Sequence, residues 1–290
     1  MTSQTHPRGL PNLSGQRVLV TGASGGVGGG IARAFVLAGA SVAVHFRGLT
    51  PESVRAGEAL VAELRELADA VGGGVAPAPG ADPTPRVIGV RADLNEPGAA
   101  ARLIADAVAG LGGLDGLVNN AGVQPVTPLA ETTRAEWDEV LGTNLGAVFE
   151  LSQVAAAAMI AAPGEAADGV PANRWITHIA SVEASRPSPA HAHYAAAKAG
   201  LVMHARAAAL ELGPQGIRVN TVSPGLVDRP GLAEAWPSGV ESWTRHAPLG
   251  RLATPADIGG ACALLASDAA TFITGQDLAV DGGMLATPGW

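Results

Sequence analysis

The chain has 290 residues, yet only one tyrosine and one cysteine. Lysine is almost missing too. Lys198 is the only one, so every other member of the Lys and Arg total of 18 is an arginine. Aromatic residues make up 3% of the chain and charged residues 15%. A lone Cys262 excludes an internal disulfide and a cysteine zinc cluster, and its apolar setting, DIGGACALLAS, predicts a buried thiol. The net charge of −8 leaves no basic excess for a phosphate backbone, so no nucleic-acid partner is expected. The first residues lack the basic start and apolar run of a secretory signal, and no uninterrupted apolar run reaches membrane-spanning length. LSQVAAAAMIAA comes nearest and is short. No membrane partner and a cytoplasmic location are therefore expected. With 47% hydrophobic residues and so little charge, the chain has enough apolar surface to fold.

What is present is an alternation. Short β-branched runs that end in glycine or polar residues read as buried strands: RVLVTG, SVAVHF, RVIGVRAD, LDGLVNNAG, WITHIAS, IRVNTVSPG and DLAVDGG. Between them lie stretches with helical periodicity, such as 52–70 with Val54, Leu60, Val61, Leu64 and Leu67, and others over 98–110, 130–162 and 192–212. Thr254 before Pro255 is the signature of a capped helix start. Strands alternating with helices predict an α/β fold: one doubly wound, Rossmann-type parallel sheet of about seven strands, helices on both faces, in a single domain over 15–290. Residues 1–14 read as a loose arm and 226–250 as a loop region rich in Pro and Trp that would form a substrate lid. Two Pro/Gly-rich loops, 71–85 and 162–174, have no assigned role.

The stretch VLVTGASGGVGGGIA sets Gly22, Gly26 and Gly28 between a strand and a helix. Glycines there let backbone N–H groups approach a pyrophosphate at the helix N-terminus. Gly29 and Gly30 lie inside the helix, where each costs about 1 kcal/mol relative to alanine, and have no local explanation. HAHYAAAKAG sets the only tyrosine, Tyr194, four positions before the only lysine, Lys198, on one helical face. A nearby ammonium favours a phenolate, which a lone tyrosine with pKa near ~10 rarely forms at neutral pH. A surface pair on an alanine-rich helix is the alternative.

Thr-Gly-x-x-x-Gly-x-Gly, NNAG at 119–122, Asn144, Ser181, Tyr194, Lys198 and the Pro224-Gly225 pair occur in order. In these motifs the chain resembles the short-chain dehydrogenase/reductase family over about 13–283. The resemblance implies an oxidoreductase that moves a hydride between a nicotinamide dinucleotide and a small carbonyl or alcohol substrate. It implies Asn144, Ser181, Tyr194 and Lys198 as the catalytic set. Tyr194 would be acid and base, Ser181 would hold the substrate oxygen, and Asn144 would sit in a kinked helix on a proton relay. It implies a cofactor site from Gly22, Ser24, Gly25, Gly26, Val27 and Gly28 in the turn and Asp93 and Leu94 at the adenine. A turn cap is the structural alternative for Asp93. Asn120, Ala121 and Gly122 would lie under the ribose. Tyr194 and Lys198, with Pro224, Gly225 and the Val227 backbone, would lie near the nicotinamide. Arg229 stands where the family usually has threonine.

The second strand ends in Phe46 and Arg47 where NAD-binding folds carry an acid, so NADP(H) is favoured, with Arg47 on the 2′-phosphate. NAD(H) and an ordinary surface arginine remain the other reading. Substrate contacts are expected from Gln124, Val182, Glu183, His191, His193, Trp236, Trp243 and His246, beyond the strand C-termini. The two histidines before Tyr194 line the pocket or bond locally, and no metal site is expected. A non-catalytic dinucleotide sensor is the rival from another class, disfavoured because a sensor needs only the nucleotide half. The family implies a homotetramer or homodimer through 139–162, 192–212 and the last strand.

Overall fold

The computed structural model describes residues 9–72, 85–162 and 172–288. Seven parallel strands form one sheet: β1 (Arg17–Val20), β2 (Ser41–Phe46), β3 (Val87–Arg91), β4 (Gly116–Asn119), β5 (Arg174–Ile179), β6 (Ile217–Pro224) and β7 (Asp277–Val280). Their spatial order is β3-β2-β1-β4-β5-β6-β7, with every pairing parallel. The expected Rossmann-type architecture holds. The order reverses between β1 and β4, so a crevice lies there beyond the strand C-termini, where ligands bind in open α/β sheets.

The helices are α1 (Gly26–Leu37), α2 (Pro51–Gly72), α3 (Ala99–Leu111), α4 (Arg134–Leu141), α5 (Ala147–Ala161), α6 (Ala192–Leu212), α7 (Leu232–Ala235), α8 (Pro237–His246) and α9 (Pro255–Ala266). They cover both faces and enclose two main hydrophobic clusters. One, under α1, α2 and α9, includes Phe35, which stacks on Trp175 at 5.4 Å. The other lies under α3, α5 and α6. Of Gly29 and Gly30, both unexplained by local propensity, Gly30 has a packing reason. A Cβ on Gly30 would lie 2.4 Å from the Cβ of Pro255, and one on Gly259 would lie 2.6 Å from the Gly30 oxygen. Helix α1 touches α9 backbone to backbone, which only glycine permits.

Thr254 caps α9, and its side chain and that of Asp257 form a reciprocal capping box with Pro255 in the first turn. Cys262 is buried, and burial pushes its thiol up to about 12.

Three expectations change. The arm over 1–14 is not loose in its described part: Leu13 is 1% exposed in the core and donates its N–H to the Ala38 oxygen at 2.7 Å. Residues 1–8 lie outside the described residues, as do most of the loops at 71–85 and 162–174. The 130–162 helix is two helices joined by a π-helical turn, Gly142–Gly146, so that Arg134–Ala161 is one continuous stretch long and apolar enough to cross a membrane. Of its most apolar window 44% is buried, and α5 rests on α3. The 226–250 segment, read as loop, holds α7 and α8. Pro237 in the first turn of α8 pre-sets the backbone for that helix.

Candidate functional site

The C-terminal ends of β1, β2, β3 and β4 carry the expected nucleotide residues. After β1 the chain turns at Gly22, which has φ +61° and lies so close to Ala121 that a Cβ would come within 2.7 Å of its Cα. At Gly25 and Gly26 a Cβ would meet nothing within 4 Å. These residues open the N-terminus of α1, which has no side-chain cap and no acidic residue in its first turn. Uncapped N–H groups facing open space, without local negative charge, fit an anionic pyrophosphate.

Two residues given no site role by the sequence, Thr21 and His45, hold this turn. Thr21 Oγ1 accepts from the N–H groups of Asn120 (2.9 Å) and Ala121 (3.0 Å), tying the end of β4 to β1. His45, on β2, accepts the Gly22 N–H at Nδ1 (3.1 Å), so Nε2 carries the hydrogen and meets the Ala92 oxygen at 3.0 Å. Burial lowers its pKa, keeping the ring neutral, as this bonding requires. Their signal was polarity in otherwise apolar strands. Asn120 donates through Nδ2 to the oxygens of Thr21 (2.9 Å) and Gly22 (3.0 Å), so its side chain serves the turn itself.

Phe46 is 6% exposed and packs against Gly57 and Gly89, leaving no carboxylate at the end of β2. Arg47 donates to Asp93 Oδ2 at 3.1 Å, with 49% of its own side chain exposed. Asp93 also caps a turn by accepting the Asn95 N–H (3.1 Å), so the turn-capping reading of this residue holds. Leu94, beside it, packs on the second core cluster.

On the other side of the crevice, α6 carries Tyr194 and Lys198 past the end of β5. Lys198 Nζ donates to the Ile179 oxygen at 2.7 Å and lies 5.5 Å from the centre of the Tyr194 ring. Burial alone brings its pKa down to about 8. Tyr194 is pushed up to about 12, first by burial, against a hydrogen bond with Ser181 and with the Glu183 charge adding to the rise. Burial therefore outweighs the stabilisation of phenolate expected from the Tyr–Lys spacing. Asn144 sits in the π turn and is buried. Its amide pairs with the backbone of Val123, donating to the oxygen and accepting from the N–H, both at 2.8 Å. The backbone of Gly122 lies between these groups. A Cβ there would be 2.9 Å from Asn144 Oδ1 and 3.8 Å from Lys198 Nζ. Ser181, at the end of β5, accepts the Glu183 N–H.

After Pro224-Gly225, Val227 bridges Ala253 in parallel, through the Leu226 oxygen and the Asp228 N–H. That pattern turns the backbone groups of Val227 away from the bridge. Arg229 is exposed.

The substrate candidates divide. Gln124, Glu183 and His191 come together: Gln124 Nε2 donates to Glu183 at 3.2 Å, and His191 Nδ1 lies 3.0 Å from the same carboxylate. Val182 is buried beside them in sequence. His193 does not line an open pocket. Its ring is fully buried, accepts the Tyr194 N–H at 2.8 Å and lies 3.8 Å from Glu136, because the helical turn points it the other way from His191. Trp243 packs on Gly225, where a Cβ would lie 2.5 Å from its ring. Trp236 is half exposed and rests on Gly239, and His246 bonds the Ser242 oxygen of its own helix. Neither of these two joins the cluster around Tyr194.

The model of a protein family described as enoyl-(acyl carrier protein) reductase matches residues 22–285. The 3-oxoacyl-[acyl-carrier-protein] reductase FabG of Chlamydia muridarum is 33% identical over 94% of this chain and 98% of its own length. The D-threitol dehydrogenase of Mycolicibacterium smegmatis is 35% identical, covering 93% of each chain. Among solved structures, a 7α-hydroxysteroid dehydrogenase complexed with NADH and 7-oxo glycochenodeoxycholic acid superimposes with a TM-score of 0.78 at 30% identity, over 94% of this chain and 95% of that one.

Proposed function

Because the chain belongs to the short-chain dehydrogenase/reductase family, and so is an oxidoreductase acting on CH–OH and C=O groups, we propose that it interconverts a small ketone and its alcohol with NADP(H). In this reading Tyr194 is the proton donor and acceptor. One observation carries it: Asn144 of the π turn and Lys198 Nζ both flank the Gly122 backbone just past β4, and the same ammonium lies 5.5 Å from the Tyr194 ring. A dinucleotide sensor would need only the turn after β1 and its neighbours, so this second cluster favours the enzyme.

The bound nicotinamide supplies the hydride. The protein supplies everything else. A phenol held near 12 stays protonated at neutral pH and is poised to protonate a carbonyl oxygen. Ser181, whose hydroxyl pulls the phenol's pKa down against burial, would steady the same oxygen. Lys198, whose pKa of about 8 lies close to neutrality, can return the proton. Asn144 holds the Val123 backbone and keeps that wall of the site rigid. The turn at Gly22–Gly28 would hold the pyrophosphate.

Phosphorylated NADP(H) is favoured because Arg47 is half exposed at the end of β2 with no carboxylate at Phe46. Its pairing with Asp93 is of the weak surface kind, which a 2′-phosphate can displace. NADH in the hydroxysteroid dehydrogenase supports the rival preference. The reading extends to a cytoplasmic homotetramer. It is supported by exposed Phe149, Met203 and Leu210 on α5 and α6 and by Phe272 near β7. Mass measured by light scattering checks it.

The test is Tyr194→Phe. Turnover of ketones should fall by about 100-fold or more while the affinity for NADPH, read by fluorescence, stays within a few-fold. Retained turnover refutes the role.

A further inference from the structure

His191 stands at the start of α6, and its ring meets that of Tyr194 edge-on with centroids 6.0 Å apart. Its Nδ1 lies 3.1 and 3.0 Å from the two carboxylate oxygens of Glu183. A carboxylate can only accept, so Nδ1 carries a hydrogen. That leaves Nε2 with a lone pair in the neutral ring and an N–H in the charged ring. Nε2 is buried and has no hydrogen-bond partner among the described residues. Glu183 is fixed in turn by Gln124 Nε2 (3.2 Å) and the Ser188 N–H (3.4 Å). Both side chains are mostly covered, at 12% exposure for Glu183 and 14% for His191.

A buried nitrogen without a partner is unfavourable, so this one has a partner to gain. We infer that His191, oriented by Glu183, binds a second hydroxyl of the substrate, one or two carbons from the reacting carbonyl, and that the substrates are uncharged hydroxyketones and the matching diols. This rests on the oxidoreductase reading above. A hydroxyl both donates and accepts, so it serves either state of the ring, whereas a keto or ether oxygen serves only the charged one. The Glu183 carboxylate close to Tyr194 sets negative charge beside the reacting carbon. It disfavours a substrate carboxylate or phosphate at that distance. The other unpaired histidine nitrogen, Nε2 of His193, belongs to a side chain with no exposed surface, 3.8 Å from Glu136, whereas the His191 side chain keeps 14% of its surface open.

The experiment compares kcat/KM for acetoin, butanone and pyruvate with NADPH and with NADH, in the wild type, His191→Phe and His191→Gln. Acetoin should exceed butanone by about tenfold or more in the wild type, as expected when a buried polar group loses its partner with the deoxy substrate. His191→Phe should bring that ratio to within about twofold, and His191→Gln, which keeps a hydrogen-bonding group, should recover part of it. Thermal melts of both variants confirm folding. Equal efficiency on acetoin and butanone in the wild type, a ratio unchanged in His191→Phe, or a preference for pyruvate overturns the hydroxyl site while leaving the oxidoreductase reading intact. Turnover of none of the three, nor of any ketone or 3-oxoacyl thioester in a panel, overturns both.

Discussion

Lys198→Met should make the protein more stable at neutral pH, although it removes the single lysine and with it the proposed proton return. The ammonium is 5% exposed and its pKa falls from 10.5 to about 8, through burial alone. A folded-state pKa below the unfolded value means that the unfolded chain binds the proton more tightly between those limits. Stability therefore rises with pH across that window. The full cost at pH 7 is on the order of 3 kcal/mol, and about 1 kcal/mol of it is relieved between pH 8 and 9. Against this, methionine leaves the Ile179 oxygen without its 2.7 Å donor, a loss of about 1 kcal/mol. The net gain is about 1–2 kcal/mol at pH 7, shrinking as pH rises. The assay is urea unfolding followed by circular dichroism, for both proteins, from pH 7 to 9. Cys262, raised from 9.0 to about 12, begins to deprotonate in the unfolded chain inside this range, and Tyr194, raised from 10.0 to about 12, above it; both pull stability down in the two proteins alike. The difference between the two curves isolates Lys198. A variant less stable than wild type at pH 7, with no convergence by pH 9, would refute the reasoning.

Three further outcomes follow from packing and charge. Gly30→Ala forces a Cβ to within 2.4 Å of Pro255, and overpacking of that kind costs about 1–3 kcal/mol, seen as a lower Tm. Gly260→Ala in α9, where a Cβ meets nothing within 4 Å, should instead raise Tm by relieving the cost of a helical glycine. Arg47→Gln should cut kcat/KM for NADPH about tenfold and change that for NADH little, since it removes a charge-assisted contact with a 2′-phosphate. Equal losses with both cofactors would deny Arg47 that role.

Most of the scaffold was legible along the chain. The β-branched runs RVLVTG and SVAVHF became β1 and β2, and the 192–212 helix has those bounds in the structure. These are local matters: side-chain alternation, helical period and capping act over a few residues. The tyrosine and lysine were legible for the same reason, because positions four apart share a helical face. The adjacent histidines were not. His191 and His193 look alike in HAHYAAAKAG, yet one meets Glu183 beside Tyr194 and the other is sealed against Glu136.

Sequence alone thus determined the alternating strands and helices, the capped start of α9, the glycine turn and the Tyr–Lys pair, since each depends on near neighbours. Tertiary structure decided what those features face. It set α1 against α9 through Gly30, His45 on the Gly22 N–H, Arg47 on Asp93, and Glu183 on His191. It also decided that burial, more than the neighbouring ammonium, governs the Tyr194 proton. Most of these contacts join different elements, so packing chose them, and no local period encodes a partner elsewhere in the fold.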